Sequence, residues 1–296
     1  MKSDTPLLSG FGQDLPAMPG WIKEALAETI EDMAFLSGAA LGQLHQVVAS
    51  PQVPHALWRA RLALDAAEAC VRIAGRPERA ADLRDALCLL RPGDRPGPGG
   101  EIYWHWSRAV ERPISVAALG RALPKLGAGQ IALMLDGGQG GPVARAAGVI
   151  EAVMTDAPRA EVAALILADA ALAKALGWSH VTPLLAVALK ARDLRKTGDD
   201  LRLACHRAVI QATRPAVQGA ATLTRSALRL QQVAPRLRAK AADLAIEMIL
   251  SQEAIAPSAL TRVMSDRAAR RLCDRLVQLG CLRELTGRDS FRLYGL

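Results

Sequence analysis

Between Pro257 and Leu296 the chain reads PSALTRVMSDRAARRLCDRLVQLGCLRELTGRDSFRLYGL, and the order of patterns there restricts the fold more than any other stretch. A short helix over about Ser258–Val263 fits, with Ser258 as its N-cap, followed by a turn at Met264. Ser265 is a good N-cap for a longer helix from Asp266 to Leu279, Asp266 suits that helix's positive end, and Gly280 is the expected residue just past its end. Cys281–Leu285 and Ser290–Tyr294 alternate apolar and polar residues as paired strands do, around a hairpin loop Thr286-Gly287-Arg288-Asp289.

At 100° per residue, Ala269, Leu272, Leu276 and Leu279 fall on one stripe of the longer helix, which must be its buried side. Arg267, Arg270, Arg271, Asp274 and Gln278 cluster opposite, with Arg275 at the edge. A further helix over about Pro235–Gln252, with Leu244, Ile246 and Ile249 for packing, completes a winged helix-turn-helix. In such a module the exposed helix enters the major groove of duplex DNA, where Arg forks onto guanine and Gln onto adenine. Asp274 either reads cytosine or orients Arg270 or Arg271. Arg288 at the hairpin tip and Arg292 along its strand are placed to reach backbone phosphate or the minor groove.

Charge agrees with that placement. Residues 1–189 hold 17 Lys/Arg against 19 Asp/Glu, whereas residues 190–296 hold 20 against 10. The net charge of +8 therefore belongs to the C-terminal third, as a polyanion-binding end requires, although a basic surface also solubilises.

Upstream the periodicity is helical. With 51% hydrophobic residues but only 3% aromatic, the core must be built from Ala, Leu, Val and Ile. Residues 1–19 read as a flexible or draped segment. Helices follow over about Trp21–Ala49, where Gly38 and Gly42 admit a close neighbour, then His55–Ala74 and Glu78–Leu90. The run Arg91–Gly100, dense in Pro and Gly, predicts neither helix nor central strand, and Ile102–Trp106 beside it holds three of the ten aromatics. Ile131–Asp136 before Gly137-Gly138-Gln139-Gly140-Gly141 resembles a strand entering a phosphate loop, but lacks both GK[ST] and a completed GxGxxG. Pro142 instead opens a helix to Met154, and helices Pro158–Leu176 and Pro183–Arg192 follow. A long basic helix over Leu201–Val233 is expected to kink or split at Pro215.

Chemistry-bearing residues are scattered. The five cysteines form no CxxC pair, and the five histidines lie far apart, so neither a metal site nor a cofactor site is called for. Asp169 falls on the apolar face Val162, Leu165, Ile166, Leu172 and Leu176, where it pairs with an Arg, caps a neighbouring backbone, or serves as an acid or base. Without a signal-peptide pattern or an apolar run of spanning length, a cytoplasmic protein with no membrane partner is expected.

The segments Ser265–Leu272 to Gly280, Arg283–Arg288 and Phe291–Leu296 resemble the C-terminus of an uncharacterised bacterial family catalogued as domain of unknown function 1403. Leu57–Leu64, Ala81–Ala86, Arg91–Pro98 and Leu176-Gly177-Trp178 are similar to the same family, so the resemblance covers nearly the whole chain. It implies an architecture and supplies no activity. The winged end is also similar to the terminal helix-turn-helix of some bacterial Fic-type proteins. The HxFx(D/E)GNGR motif is missing here, which argues against adenylyl transfer.

The expectation is thus a mainly α protein: segment 1–19, an all-helical domain 20–234, and a winged helix-turn-helix 235–296 with a short terminal β-hairpin. Its expected partner is double-stranded DNA, with transcriptional regulation as the role; a homodimer and a protein partner for the helical domain are compatible with it. The alternatives are a docking or scaffold protein using the winged helix, and an enzyme with a site near Asp94, Tyr103, His105 and Asp169.

Overall fold

The computed structural model describes residues 17–23, 29–91, 93–237, 241–288 and 291–296. These residues are mainly helical, with one small antiparallel strand pair. In order come α1 Ile30–Ala49, α2 His55–Ile73, α3 Ala80–Cys88, α4 Gly97–Glu111, α5 Val116–Ala122 and α6 Ala128–Asp136. Then follow α7 Pro142–Asp156, α8 Glu161–Ala175, α9 Leu185–Ala188, α10 Gly198–Val233, α11 Ala242–Ser251 and α12 Asp266–Gln278. Strands β1 Arg283–Glu284 and β2 Tyr294–Gly295 close the chain.

Residues 1–16 of the expected N-terminal segment lie outside the described residues, as do 24–28 of the expected first helix. The helix itself begins at Ile30, because Thr29 caps it: its hydroxyl accepts from Asp32 N at 3.1 Å while Asp32 accepts from Thr29 N. Just before it, Met18 and Ile22 are buried against Met33, Leu36 and Ile210, so this stretch is draped on α1 and α10. Among the described residues nothing lies within 4 Å of where a Cβ on Gly38 or Gly42 would stand, so neither glycine makes room for one of them.

The largest departure upstream concerns the Pro/Gly run. Its second half is helix, since α4 starts at Gly97 and places Pro98 in the first turn, where a missing N–H costs nothing. Two of its glycines are there for space. A Cβ on Gly100 would stand 2.7 Å from Pro96 Cβ and 3.2 Å from Ala86 Cβ, and one on Gly99 would meet Glu78 and Leu83. Gly100→Ala should therefore destabilise the fold by about 1–3 kcal/mol, because the α3–α4 contact must open. Gly148→Ala, at an exposed position of α7 with nothing within 4 Å among the described residues, should instead stabilise by about 0.5–1 kcal/mol. Urea midpoints of the two variants check this; equal shifts would sink the packing explanation.

At the centre sits α8. From Ala164 to Ala173 every residue is buried, so it is wrapped on all sides rather than presenting one apolar face. Helix α7 packs along it, with α6, α9 and α4 on its other sides. Likewise α2 packs on α4, and α10 on α1 and α7. Ile131–Asp136 belongs to helix α6, which removes any strand-and-phosphate-loop reading, and the 183–192 helix shrinks to α9. Of the kink or split expected at Pro215 the split does not occur: α10 continues through it as one helix, with Ala208, Val209, Ala212, Ala216 and Ala220 buried around it. Packing along its length retains the helix despite one lost backbone bond.

Asp169 is fully buried on α8, and its function is structural. Its carboxylate accepts from the amides of Leu184 at 3.1 Å, Leu185 at 2.9 Å and Ala186 at 3.3 Å, capping α9. Burial pushes its pKa up to about 7 against the pull of those amides. The described cysteines are free, and burial pushes the Cys70, Cys205 and Cys273 thiols up to about 12, where they are inert at neutral pH. No helix among the described residues is long and apolar enough to cross a membrane.

Candidate nucleic-acid interface

The C-terminal sixty residues share the body's hydrophobic core, which continues from Leu41 through Ile246, Leu272 and Leu276 to Leu296. Helix α11 is shorter than the expected 235–252, and residues 238–240 of that range lie outside the described residues. The short second helix is a 3-10 helix over Pro257–Arg262 that begins at Pro257, so Ser258 is not its N-cap. Ser265 does cap α12, accepting from Ala268 N at 3.4 Å, and Gly280 takes φ 65° beyond its end.

The buried stripe of α12 is Ala269, Leu272, Cys273 and Leu276, with Leu279 only half-buried. The strands are shorter than the alternation implies: Arg283 pairs with Gly295 and Glu284 with Tyr294. Sequence reasoning missed a third partner. Ile255, between α11 and the 3-10 helix, exchanges both backbone hydrogen bonds with Tyr294 at 2.8 and 2.9 Å. Asp289 and Ser290 of the expected hairpin lie outside the described residues.

On the outward face of α12 the expected residues divide into two groups. Arg267, Arg271, Arg275 and Gln278 are exposed, and among the described residues their side-chain contacts stay within α12. Arg271 donates to the Arg267 carbonyl at 3.3 Å, and Arg275 to Gln278 Oε1 at 3.4 Å. Arg270 pairs with Asp266 at 2.9 Å, an exposed i,i+4 pair that contributes little. Asp274 orients neither Arg270 nor Arg271; it accepts from the Tyr294 hydroxyl at 3.4 Å, bracing the helix against β2. Arg262, exposed at the end of the 3-10 helix, belongs with the first group and was not singled out from sequence because it carries no periodic signal there.

The two expected wing arginines are turned toward the protein. Arg288 Nη2 lies 3.1 Å from Asp85 Oδ2 on α3, and Arg84 beside it donates to the Leu285 carbonyl at 3.2 Å. Arg292 donates to the Arg288 carbonyl at 3.0 Å. Phe291, expected on the same side as Leu293, is 63% exposed while Leu293 is buried. The reason is φ 57° at Phe291, which breaks the extended backbone that alternation assumes.

A model of the family described as protein of unknown function (DUF1403) matches residues 8–296. The chain belongs to the DUF1403 family. No curated protein matches it. In this DUF1403 chain the alternative enzymatic set does not assemble through shared contacts. Asp94 accepts from Arg91 N, His105 Nδ1 meets the Ala122 carbonyl, Tyr103 is buried, and Asp169 caps α9. His206 meets Ser37 at 2.7 Å, and His45 accepts from Trp178 at 3.0 Å, each as a structural contact between helices. Among the described residues no group of three or more His, Cys, Asp or Glu side chains could hold a metal ion.

Proposed function

We propose that this DUF1403 chain binds double-stranded DNA, with α12 docked in the major groove and residues 235–296 working as a winged helix-turn-helix in transcriptional regulation. One observation carries the reading: the outward face of α12 is mostly polar, with Arg267, Arg270, Arg271 and Arg275 exposed against Asp266 and Asp274, and Val277, 37% exposed, as its large apolar residue. A protein-docking surface calls for an apolar centre, which this face does not offer. Among the described residues no carboxylate pairs with Arg267, Arg271 or Arg275. Arg262 extends the cationic face toward the turn. Because Arg288 is held by Asp85 and Arg292 by the wing backbone, contacts from the wing contribute less than those from the helix.

Binding of this kind draws on counterion release and weakens steeply with salt. Fluorescence anisotropy with mixed-sequence duplexes at two salt concentrations should show Arg267→Ala and Arg271→Ala each losing about 1 kcal/mol or more of affinity. The salt slope should fall by about one for each phosphate contact removed. Binding that ignores salt and both substitutions would remove the proposal.

A further inference from the structure

Between the end of α3 and the side of α12 that carries Arg270 lies a cleft of about 640 Å³, a size suited to a small ligand. Among the described residues three arginines line it, Arg91, Arg270 and Arg292, against one carboxylate, Asp274. That carboxylate is engaged by Tyr294, also in the lining, and the pair joining Arg270 to Asp266 is exposed and readily exchanged.

Phe291 lines this cleft with most of its ring open to solvent. Its ring is 63% exposed, so it buries little, and its backbone adopts φ 57°, which residues with a side chain rarely do. The Arg91 guanidinium lies 5.8 Å from the ring centroid. An exposed aromatic ring beside one guanidinium, in a cleft lined by two further arginines, matches the chemistry of a flat π-system carrying a phosphate. Bases inside a duplex are stacked on one another and cannot offer a face, whereas an unpaired nucleotide can.

We propose that this cleft takes a single unpaired nucleotide, its base stacked on Phe291 and its phosphate held by Arg91 and Arg270. The inference rests on the nucleic-acid reading of the same module and deepens it. α12 and the cleft then serve different parts of one ligand, the duplex and an unpaired nucleotide within or beside it.

The test uses the full chain, a labelled 12-nucleotide single strand, and a blunt duplex of the same sequence. Phe291→Ala is expected to weaken single-strand binding by about tenfold or more, as loss of one stacked base does, and to leave duplex binding within about twofold. Phe291→Gly should give the same loss with an unchanged or higher melting temperature, which separates a ligand role from a folding one. Arg267→Ala combined with Arg271→Ala should weaken the duplex far more than the single strand.

Intact duplex binding with single-strand affinity indifferent to Phe291 overturns the cleft and leaves the groove reading standing. Single-strand binding that needs Phe291, without duplex binding, overturns groove docking and supports the cleft. Failure of both nucleic acids to bind overturns both. Competition by free deoxyadenosine monophosphate supports the same chemistry with a free nucleotide as its source; Phe291-dependent strand binding that the monophosphate does not displace supports a polynucleotide.

Discussion

Asp169→Ala is expected to lower stability by about 3 kcal/mol, because three buried amides lose their only acceptor. Those amides open α9, whose Leu185 and Ala186 pack into the core against α2, α8 and α10. Asp169→Asn should cost much less, since one oxygen still accepts from Leu184 and Leu185. The pH dependence reports how far burial of this carboxyl outweighs the pull of the amides it caps. Burial raises the folded pKa to about 7, above an unfolded value near ~3.9, so the group's contribution is fully present below ~4 and is lost as pH rises through about 7. Wild type should therefore lose stability across that window relative to Asp169→Asn. Urea titrations at pH 5 and pH 8 measure it. A difference between wild type and Asp169→Asn that stays constant with pH would contradict the burial-raised pKa, and a small loss in Asp169→Ala would contradict the cap.

Arg61→Ala is expected to produce a comparable loss, about 3 kcal/mol, by stranding a carboxylate. Glu253, only 6% exposed at the end of α11, is paired with Arg61 Nε on α2, and Arg61 Nη2 also donates to the Leu296 carbonyl at 3.2 Å. Arg283 reaches the same carbonyl at 3.4 Å. This clasp ties Glu253 and Leu296 to α2. Burial already raises the Glu253 pKa, with Arg61 opposing it, and removing the arginine lets it rise further. A raised carboxyl contributes stability at low pH that disappears as pH increases through the folded pKa. The Arg61→Ala penalty should accordingly be larger at pH 8 than at pH 5, and Glu253→Gln added to it should restore part of the loss. Asp65, pushed up to about 6 by burial and held down partly by Arg61, steepens the same trend. If the double variant is no better than the single one at either pH, the stranded charge is not the cause.

Elements with a strong local signal were legible from the residues alone. Ser265 and Gly280 delimit α12 because capping is decided by a residue and its immediate neighbours. The buried stripe Ala269, Leu272 and Leu276 follows from helical geometry, and so does the exposure of Arg267, Arg271, Arg275 and Gln278 opposite it. The family resemblance, read from segments spread over the chain, extends over residues 8–296.

What the residues left open depended on partners far away in sequence. Pro215 reads as a break by local propensity, yet the packing of α10 carries the helix through it. Gly97–Gly100 reads as loop, yet α3 and Pro96 need the space that glycine leaves. Arg288 reads as a hairpin tip free for phosphate, yet Asp85, two hundred residues earlier, takes its charge. Phe291 reads as a core-facing strand residue, yet a positive φ turns it outward. The sequence by itself thus determined a mainly helical chain ending in a basic-faced helix, since periodicity and caps act within a few residues. Tertiary structure alone decided which arginines remain available and where the cleft beside α12 opens, because ion pairing and burial are settled only between elements that folding brings together.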